Sequence, residues 1–335
     1  MNEHPHLYDV ILIDVSNKYH AAFATSASLT TKLEDGSVLV TGGIYTTIKG
    51  IQKIRRERLA PQGQMFYLCD ATTRSSHGTI DDTPIMLRRR IDPDYKMNRK
   101  PHSDPSFYRG LEMTISMLLY LYDRSYVVRV EGYEADDLVP AILRRYAPAP
   151  TRVLLVSNDT DWCRALSSHV EVLKGDKIVD VKSFTEEHQF SPEGEGLKIY
   201  KSFRGDSDNV PKGVEGIREK DLLRLIADFS TLEELHGKID TVEYLSKTWK
   251  DAIKERWPRI MINYQLVDFL PIDDQTAESG TVSCSFKPRA LRAQYDALGF
   301  DVNRLDARVA GDDYARIIPD RESSGFFIKS KIKRA

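Results

Sequence analysis

The sequence contains few cysteines and no long apolar run. Its three cysteines, Cys69, Cys163 and Cys284, are scattered without C-x-x-C spacing, which excludes a disulfide framework and a paired-thiolate zinc site and favours a reducing cytosol. The most apolar stretch, ISMLLYLY at 115–122, is too short to cross a bilayer. The first residues, MNEHPHLYDVILID, lack the basic and apolar regions of a signal peptide. We therefore predict a cytoplasmic protein without a membrane partner.

An excess of charge of either sign is also missing. Lys and Arg together number 48 and Asp and Glu 50, for a formal net charge of −2. This balance excludes a uniformly basic nucleic-acid coat protein but not a local basic patch. No internal repeat is visible. The 335 residues, 41% of them hydrophobic, suit one large domain or two smaller ones with a sizeable core.

Short apolar runs rich in β-branched residues alternate with helical patterns in the first part of the chain. The runs at 9–16, 64–70, 125–130 and 152–159 are typical of buried parallel strands, and the patterns at 41–59, 104–124 and 134–147 are typical of helices. The alternation predicts an α/β doubly wound core over residues 1–185 or so, with a closing hairpin at 170–181. Beyond residue 190 the pattern is mostly helical, and the last residues form a basic tail.

Acidic residues follow the ends of these predicted strands. Ligands of an open α/β sheet bind beyond the carboxyl ends of its strands, and nine carboxylates fall there. Because no equally rich basic set is interleaved with them, we expect hard divalent cations, Mg²⁺ or Mn²⁺, as two ions about 3.5–4 Å apart that suit phosphodiester hydrolysis. The alternative for the EADD segment is a solvated, structural first helical turn. The nine are Asp14, Asp70, Glu134, Asp136, Asp137, Asp159, Asp161, Asp206 and Asp208.

Two further segments favour phosphate binding. MLRRRIDPDYKMNRKPH (86–102) holds six basic residues against two acidic ones, and it follows the strand that delivers Asp70, so its cations are expected to clamp phosphate while Tyr95 stacks on a base. The alternative is a solvated helix face. GVEGI (213–217) resembles a helical hairpin whose backbone N–H groups hold a duplex phosphate. Its alternative is a glycine C-cap between packed helices.

Taken together, these segments resemble the 5′-nuclease superfamily, which includes flap endonucleases. The likeness is to stand-alone 5′–3′ exonucleases of bacteriophages and to the N-terminal nuclease domain of bacterial DNA polymerase I, and it covers residues 9–230 or so. Order, spacing and residue type agree together. The matching segments are LIDVSN (12–17), TGGIY (41–45), LCDA (68–71), LRRRIDPDYKMNRKP (87–101), EGYEADDL (131–138), SNDTDW (157–162) and RGDSDNVPKGVEGI (204–217).

The resemblance implies an α/β fold with a mixed, mostly parallel central sheet flanked by helices, a PIN-like core. A helical arch would cover the site, and a C-terminal helix–three-turn–helix module would bind duplex DNA. We therefore expect a nuclease core over residues 1–188 with the arch at about 80–110, the helical module over 189–310, and a basic tail over 311–335.

The resemblance also implies roles for single residues. One metal ion would be held by Asp14, Asp70, Glu134 and Asp136, and a second by Asp159, Asp161 and the acidic turn at 206–208, with Asp137 nearby. Lys96 and Arg99 match arch residues that contact the scissile phosphate, and with Asp70 and Asp136 they are the candidate catalytic residues. The expected DNA contacts are Arg88, Tyr95, Lys96, Arg99, Gly213, Gly216 and Lys220.

Three departures from the family pattern affect these assignments. The last acidic motif is usually G-D-x-x-D-N, but here it is GDSDN, so either Asp208 or Asn209 occupies the last ligand position. Arg218 replaces the final glycine of the hairpin, which puts in question the K⁺ ion that many members hold there. Val15 stands where glycine often follows the first aspartate.

We expect a metal-dependent 5′–3′ exonuclease or flap endonuclease that acts on DNA with 5′ flaps, nicks or ends and on the RNA of RNA–DNA hybrids. A monomer is expected, working beside a single-strand-binding or replication protein in primer removal in a phage-infected cell. One alternative is a branched-DNA-binding protein with an impaired or single-metal site, which the short GDSDN turn keeps open. Another is a PIN-type ribonuclease, although those are commonly shorter and lack the arch and hairpin.

Overall fold

The centre of the molecule is a seven-stranded sheet. The computed structural model describes residues 7–33, 36–71, 87–97, 100, 102–206 and 209–308. The strands are β1 (Tyr8–Asp14), β4 (Leu59–Leu68), β5 (Ser125–Val128), β6 (Val153–Val156), β7 (Val170–Lys174), β8 (Lys177–Val179) and β9 (Thr281–Ser283), while β2 (Thr30–Lys32) and β3 (Val38–Val40) pair separately. The sheet order is β8–β7–β6–β1–β4–β5–β9. The five central strands are parallel, and the two edge strands β8 and β9 are antiparallel to their neighbours.

Helices cover both faces of this sheet. They are α1 (Val15–Thr25), α2 (Gly42–Arg58), α3 (Arg88–Ile91), α4 (Ser106–Leu118), α5 (Leu138–Tyr146) and α6 (Val181–His188). Ile11 and Ile13 of β1 lie in one hydrophobic cluster with α1, α2 and α4, whereas Val10 and Leu12 lie in a second cluster with α5. Because successive strand side chains point to opposite faces, a strand buried on both sides needs the continuous apolar run that was predicted. The mixed, mostly parallel sheet flanked by helices is confirmed.

The second half of the chain is mainly helical. It contains α7 (Gly196–Arg204), α8 (Glu219–Asp228), α9 (Leu232–Lys238), α10 (Lys247–Glu255), α11 (Trp257–Leu266), α12 (Asp274–Ser279), α13 (Pro288–Ala297) and α14 (Val302–Leu305). A third hydrophobic cluster joins α7 to α11 and includes Phe203, Leu222 and Ile260. The connection from α7 to α8, residues 205–218, carries the GVEGI segment.

The end of the described chain returns to the sheet. Strand β9 pairs with β5, and Leu291 and Tyr295 of α13 are fully buried in the cluster formed by α1, α2 and α4. Residues 281–308 therefore pack with the α/β layer, and the division into a core over 1–188 and a helical module over 189–310 stays a prediction. The expected tail at 311–335 lies outside the described residues.

The bounds of several elements differ from the prediction. Strand β4 begins at Leu59 and α4 ends at Leu118, and α5 begins at Leu138. Residues 134–137, which were expected to open a helix, form turns before it. The β2–β3 hairpin was not predicted. Among the described helices, none combines the length and apolar character that crossing a membrane requires.

Replacing Gly280 with alanine tests the docking of β9. A Cβ atom there would lie 2.5 Å from the Arg129 carbonyl oxygen and 2.5 Å from Val130 Cγ2. We expect Gly280→Ala to lower the free energy of unfolding by about 1–3 kcal/mol, since the backbone must shift, as measured by urea denaturation. The matched control is Gly237→Ala in α9, where no neighbour lies within 4 Å and a gain of about 0.5–1 kcal/mol is expected. A neutral Gly280→Ala would contradict the docking of β9.

Candidate metal centre and its ion-pair network

Acidic residues follow the strands at one edge of the sheet. Strands β6, β1, β4 and β5 are neighbours in that order, and each is followed at its carboxyl end by one or more carboxylates. Asp14 is the last residue of β1 and Asp70 follows β4. Residues 134–137 come after β5, and Asp159 and Asp161 come after β6.

Asp14 lies at the middle of this edge. It caps α1 by accepting a hydrogen bond from the Asn17 amide at 2.9 Å, and its other oxygen accepts from Ser157 Oγ at 2.9 Å. Burial raises the pKa of Asp14 to about 7, and the nearby charges of Asp70 and Asp159 add to the effect. A cation bound near Asp14, Asp70 and Asp159 would relieve the repulsion between their charges.

Asp70 is held by its backbone and by one amide. Its Oδ1 accepts a hydrogen bond from the Ala135 N–H at 2.8 Å, and its carbonyl oxygen accepts from Arg129 Nε at 3.1 Å. Arg129 is fixed in turn by a two-bond pair with Glu112, at 2.9 and 3.0 Å. The second carboxylate oxygen of Asp70 is thereby kept in a defined direction.

Arg88 and Asp137 form the most buried ion pair of the site. Arg88 is 2% exposed and Asp137 is 0% exposed, and two parallel bonds of 2.8 Å join them. Asp137 also accepts from the amides of Glu134 (3.0 Å) and Leu270 (2.8 Å). Four hydrogen bonds occupy the Asp137 oxygens in this structure, and the role of Asp137 as a metal ligand stays a prediction. All three Arg88 nitrogens donate within the protein, and the DNA contact of Arg88 stays a prediction.

Glu134 is surrounded by side chains of the arch segment. It accepts from Arg88 Nη1 at 2.9 Å, from the Tyr95 hydroxyl at 3.1 Å and from the Lys96 ammonium. Burial alone would raise the pKa of Glu134, but the adjacent Lys96 and Arg88 hold it below its usual value. The Tyr95 ring is 6% exposed, so it has no free face for the predicted stacking on a base.

Asp136 lies between the two groups of acids. Its carboxylate accepts from Arg88 Nη2 at 3.3 Å and from the Asp137 amide at 3.0 Å. Burial raises the pKa of Asp136 well above its usual value even beside Arg88, and Asp137, Glu134 and Asp161 act in the same direction. Asp136 is therefore under-compensated in charge, like Asp14.

A second group of carboxylates is bridged by Lys201, a residue that the sequence analysis did not select. The Lys201 ammonium donates to Asp161 and, at 3.2 Å, to Asp206. Burial would lower the pKa of Lys201, but Asp161 and Asp206 hold it above its usual value. Asp159 is exposed, and its Oδ1 caps the Asp161 amide at 2.9 Å. Lys201 precedes Asp206 by five residues, but no known sequence motif has this spacing, so the sequence alone did not indicate its role.

The expected convergence of nine carboxylates is only partly present. Among the described residues, no three His, Cys, Asp or Glu side chains are close enough together to hold a metal ion. The described acids form one group around Arg88 and Lys96 and a second around Lys201, so three cations lie among them. Asp208 and Arg99 lie outside the described residues.

The expected hairpin contacts are divided between buried and exposed residues. Gly213 is buried, its N–H donates to the Phe203 carbonyl at 3.0 Å, and a Cβ there would lie 2.2 Å from the Ser202 carbonyl oxygen. Gly213 is therefore required for packing, and its amide is not available to a phosphate. Gly216, with φ +75°, and Lys220 are exposed at the same turn.

Comparison with known proteins decides the family. The model of the N-terminal resolvase-like domain of 5′–3′ exonucleases matches residues 9–191, which include Asp14, Asp70, residues 134–137, Asp159 and Asp161. The chain belongs to the 5′–3′ exonuclease family. Exonucleases hydrolyse phosphodiester bonds, so the enzyme class of this family is that of a phosphodiester hydrolase.

Similar proteins agree with membership of the 5′–3′ exonuclease family. The chain is 30% identical to DNA polymerase I of Caldicellulosiruptor bescii over 173 residues, 49% of this chain and 19% of that one. It is 34% identical to thermostable DNA polymerase I of Thermus filiformis over 240 residues, 70% of this chain and 25% of that one. The match thus spans about a fifth to a quarter of these polymerases.

A solved structure supports the fold. The bacteriophage T5 flap endonuclease, in a pseudo-enzyme–product complex with DNA and metal ions, superposes with a TM-score of 0.58 at 18% identity. The superposition covers 90% of this chain and 97% of that one. At this identity the likeness shows the fold alone.

Replacing Asp137 with asparagine tests its structural role. The amide keeps the shape but leaves Arg88 short of one buried charge, so we expect the free energy of unfolding to fall by about 3 kcal/mol. Asp159→Asn is the matched control, because it is exposed and asparagine caps equally well; a change within about 0.5 kcal/mol is expected. Urea denaturation of both variants checks this, and equal losses would contradict the distinction.

Proposed function

We propose that this chain is a divalent-metal-dependent 5′ nuclease that hydrolyses DNA near 5′ ends and at flap junctions, leaving 5′-phosphate products. The observation that carries the proposal is the set of carboxylates after four adjacent strands, in a chain that belongs to the 5′–3′ exonuclease family. The same activity is proposed on the RNA of RNA–DNA hybrids, in primer removal during phage replication.

The donor set fits a hard divalent ion, Mg²⁺ or Mn²⁺. Every candidate ligand is a carboxylate oxygen, which is the ligand that these ions prefer, and burial leaves Asp14 and Asp136 under-compensated in charge. Asp14, Asp70, Glu134 and Asp136 would hold one ion, and Asp159, Asp161 and Asp206 a second. In the short GDSDN turn, Asn209 Oδ1 is buried without a hydrogen-bond partner and is a further oxygen donor. A bound divalent ion supplies Lewis acidity and positive charge for phosphodiester hydrolysis.

The residues of the chain orient this site and bind the phosphate. Asn17 and Ser157 fix the Asp14 carboxylate, and the Ala135 amide fixes Asp70. The Lys96 ammonium lies against Glu134 and has a φ of 57°, in the left-handed region, so its position is set by the fold and not by local preference. We propose that Lys96 donates to the scissile phosphate when substrate displaces this ion pair.

The segment between α7 and α8, with the first turn of α8, is proposed to bind duplex DNA. Lys212, Gly216 and Lys220 are exposed there, and lysines bind phosphates without reading sequence. Arg218, which replaces the family glycine, pairs with Asp221 at 2.5 Å, so its guanidinium stabilises the first turn of α8. We propose this segment as the duplex-binding module, and we propose no K⁺ site in it.

A second candidate function is favoured by one observation. Lys201 holds Asp161 and Asp206 together, and no three acidic groups among the described residues are near enough to share an ion. A branched-DNA-binding protein with a single-metal or impaired site would have this arrangement. Cleavage assays separate the two functions directly.

Replacing Asp70 with asparagine tests the nuclease assignment. Asparagine keeps the hydrogen bond from Ala135 but removes a charge from the metal site, so we expect cleavage to fall by at least about a hundredfold, with duplex affinity unchanged. The measurement uses 5′-labelled flap, nicked-duplex and RNA–DNA substrates with Mn²⁺, and filter binding in EDTA.

Asp176→Asn, at the exposed turn between β7 and β8, is the control for loss of one acidic charge. Full activity of Asp70→Asn would sink the assignment. A wild-type protein that binds flaps but cuts none of the three substrates would favour the branched-DNA-binding function instead.

Lys96→Ala should lower the rate of cleavage, whereas Lys220→Ala should lower the affinity for duplex DNA. Lys96 is expected to act on the reacting phosphate, so its removal should slow single-turnover cleavage about tenfold to a hundredfold and leave plain-duplex affinity nearly unchanged. Lys220 is expected to act only on the duplex, so its removal should weaken binding and reduce the salt slope by about one. The same loss of rate and of affinity in both variants would make them equivalent phosphate contacts.

A further inference from the structure

Helix α11 is attached at one side to the proposed duplex-binding turn. Asn263 is 0% exposed, and its side-chain amide nitrogen donates to the Pro211 carbonyl at 2.7 Å and to the Ser202 carbonyl at 3.0 Å. One turn earlier, Ile260 packs against Gly213, where an added Cβ would lie 3.1 Å from Ile260 Cγ1. Residues 260 and 263 share a helix face, so this face of α11 fixes where the turn begins.

The C-terminal end of the same helix is attached to the carboxylates. The carbonyl oxygens of Leu266 and Asp268 accept from Arg88 Nε at 2.9 Å and from Nη2 at 3.0 Å. The last carbonyls of a helix have no partner within it and carry partial negative charge, so a guanidinium is a favourable cap. The same guanidinium binds Glu134 and Asp137, so α11 and the metal centre share one cation.

An apolar cluster lies between the contact of α11 with the turn and its contact with Arg88. Tyr95 of the arch segment, Val210 of the turn, and Leu266 and Val267 at the end of α11 are all buried together. An ion pair between Arg259 of α11 and Asp92 links the helix to the arch segment a second time. The arch segment and the turn, which are remote from α11 in sequence, are thus both packed on this helix.

We propose that α11 is the strut that fixes the distance between bound duplex and the metal centre, and that Asn263 is the positioning residue that sets which phosphodiester is cut. The inference rests on the proposed nuclease function. Asn263 contacts neither a carboxylate nor a residue proposed to bind DNA, since its two partners are backbone carbonyls. Three residues of helix, a rise of about 4.5 Å, separate Asn263 from Leu266, and this short rigid segment connects the turn to Arg88.

The proposal makes the role of Asn263 specific to substrates that contain duplex. Without its amide, the Ser202 and Pro211 carbonyls lose a donor from α11. The contact between α11 and the turn then depends on apolar packing, which is not directional. The distance between a duplex bound at the turn and the carboxylates would then vary from one bound complex to the next. A single-stranded substrate does not use the turn, so its cleavage should be unaffected.

The decisive variant is Asn263→Leu, which is close to isosteric. We expect cleavage of a 5′-flap substrate to spread over neighbouring phosphodiesters and to slow about tenfold to a hundredfold in kcat, because a misplacement of 1 Å is enough for such a loss. The rate on a single-stranded oligonucleotide and the flap affinity in EDTA should each stay within about twofold of wild type. Product lengths are measured at single-nucleotide resolution.

Two controls separate positioning from loss of stability. Asn303→Leu makes the same exchange on the exposed side of α14 and should change nothing. Leu291→Ala creates a cavity in the hydrophobic cluster that α13 shares with α1, α2 and α4, which contains no residue of α11, so it should lower the melting temperature but keep a single cut site. An Asn263→Leu protein that keeps a single cut site, or that loses rate equally on both substrates, overturns the proposal.

A measurement without catalysis distinguishes failure of the strut from failure of the nuclease assignment. The three native cysteines are buried, so spin labels can be placed at Lys53→Cys in α2 and Lys220→Cys in α8. We expect the distance distribution between them to broaden when Asn263→Leu is added to the metal-free protein. An unchanged distribution overturns the strut whether or not the wild type cuts DNA.

Discussion

The site depends on one buried ion pair, that of Arg88 with Asp137. A guanidinium and a carboxylate removed from water are each costly, and they are tolerated only when their remaining hydrogen-bond capacity is also satisfied. Here it is: Arg88 donates to two further carboxylates and two carbonyls, and Asp137 accepts two amides. The pair therefore holds together the arch segment, the loop after β5 and the segment that follows α11, and the positions of Glu134 and Asp136 follow from it.

The electrostatics of the carboxylate edge are shared between protein cations and the ions that it is proposed to bind. Arg88 cannot leave without unpairing Asp137, so its charge is a permanent part of the site. Lys96 and Lys201 are single ammonium groups with fewer partners, and an ammonium can turn away on a flexible stem. Arg88 therefore sets the geometry of the site, whereas Lys96 and Lys201 neutralise part of the carboxylate charge through one or two ion pairs each.

Much of the fold and part of the site could be predicted from the sequence. Continuous apolar runs located β1, β5 and β6, and the acids after them located the site, because both signals are local in the chain. The pairing of Arg88 with Leu266 spans 178 residues, and β9 is a three-residue edge strand with two exposed side chains. These long-range contacts leave no local pattern in the sequence. The roles of Lys201 and α11 and the return of the chain to the sheet therefore could not be predicted.

The arch segment shows why a run of like residues should not be treated as one surface. Arg88, Arg89 and Arg90 are consecutive, yet Arg88 is 2% exposed, Arg89 Nε donates to the Tyr95 carbonyl and Arg90 is exposed. In a helix, successive residues point about 100° apart, so a short helix such as α3 must assign neighbouring arginines to different environments. Because the inward position is occupied by the ion pair that organises the carboxylates, the exposed face of this segment is the outward one, with Arg90 and the half-exposed Met97.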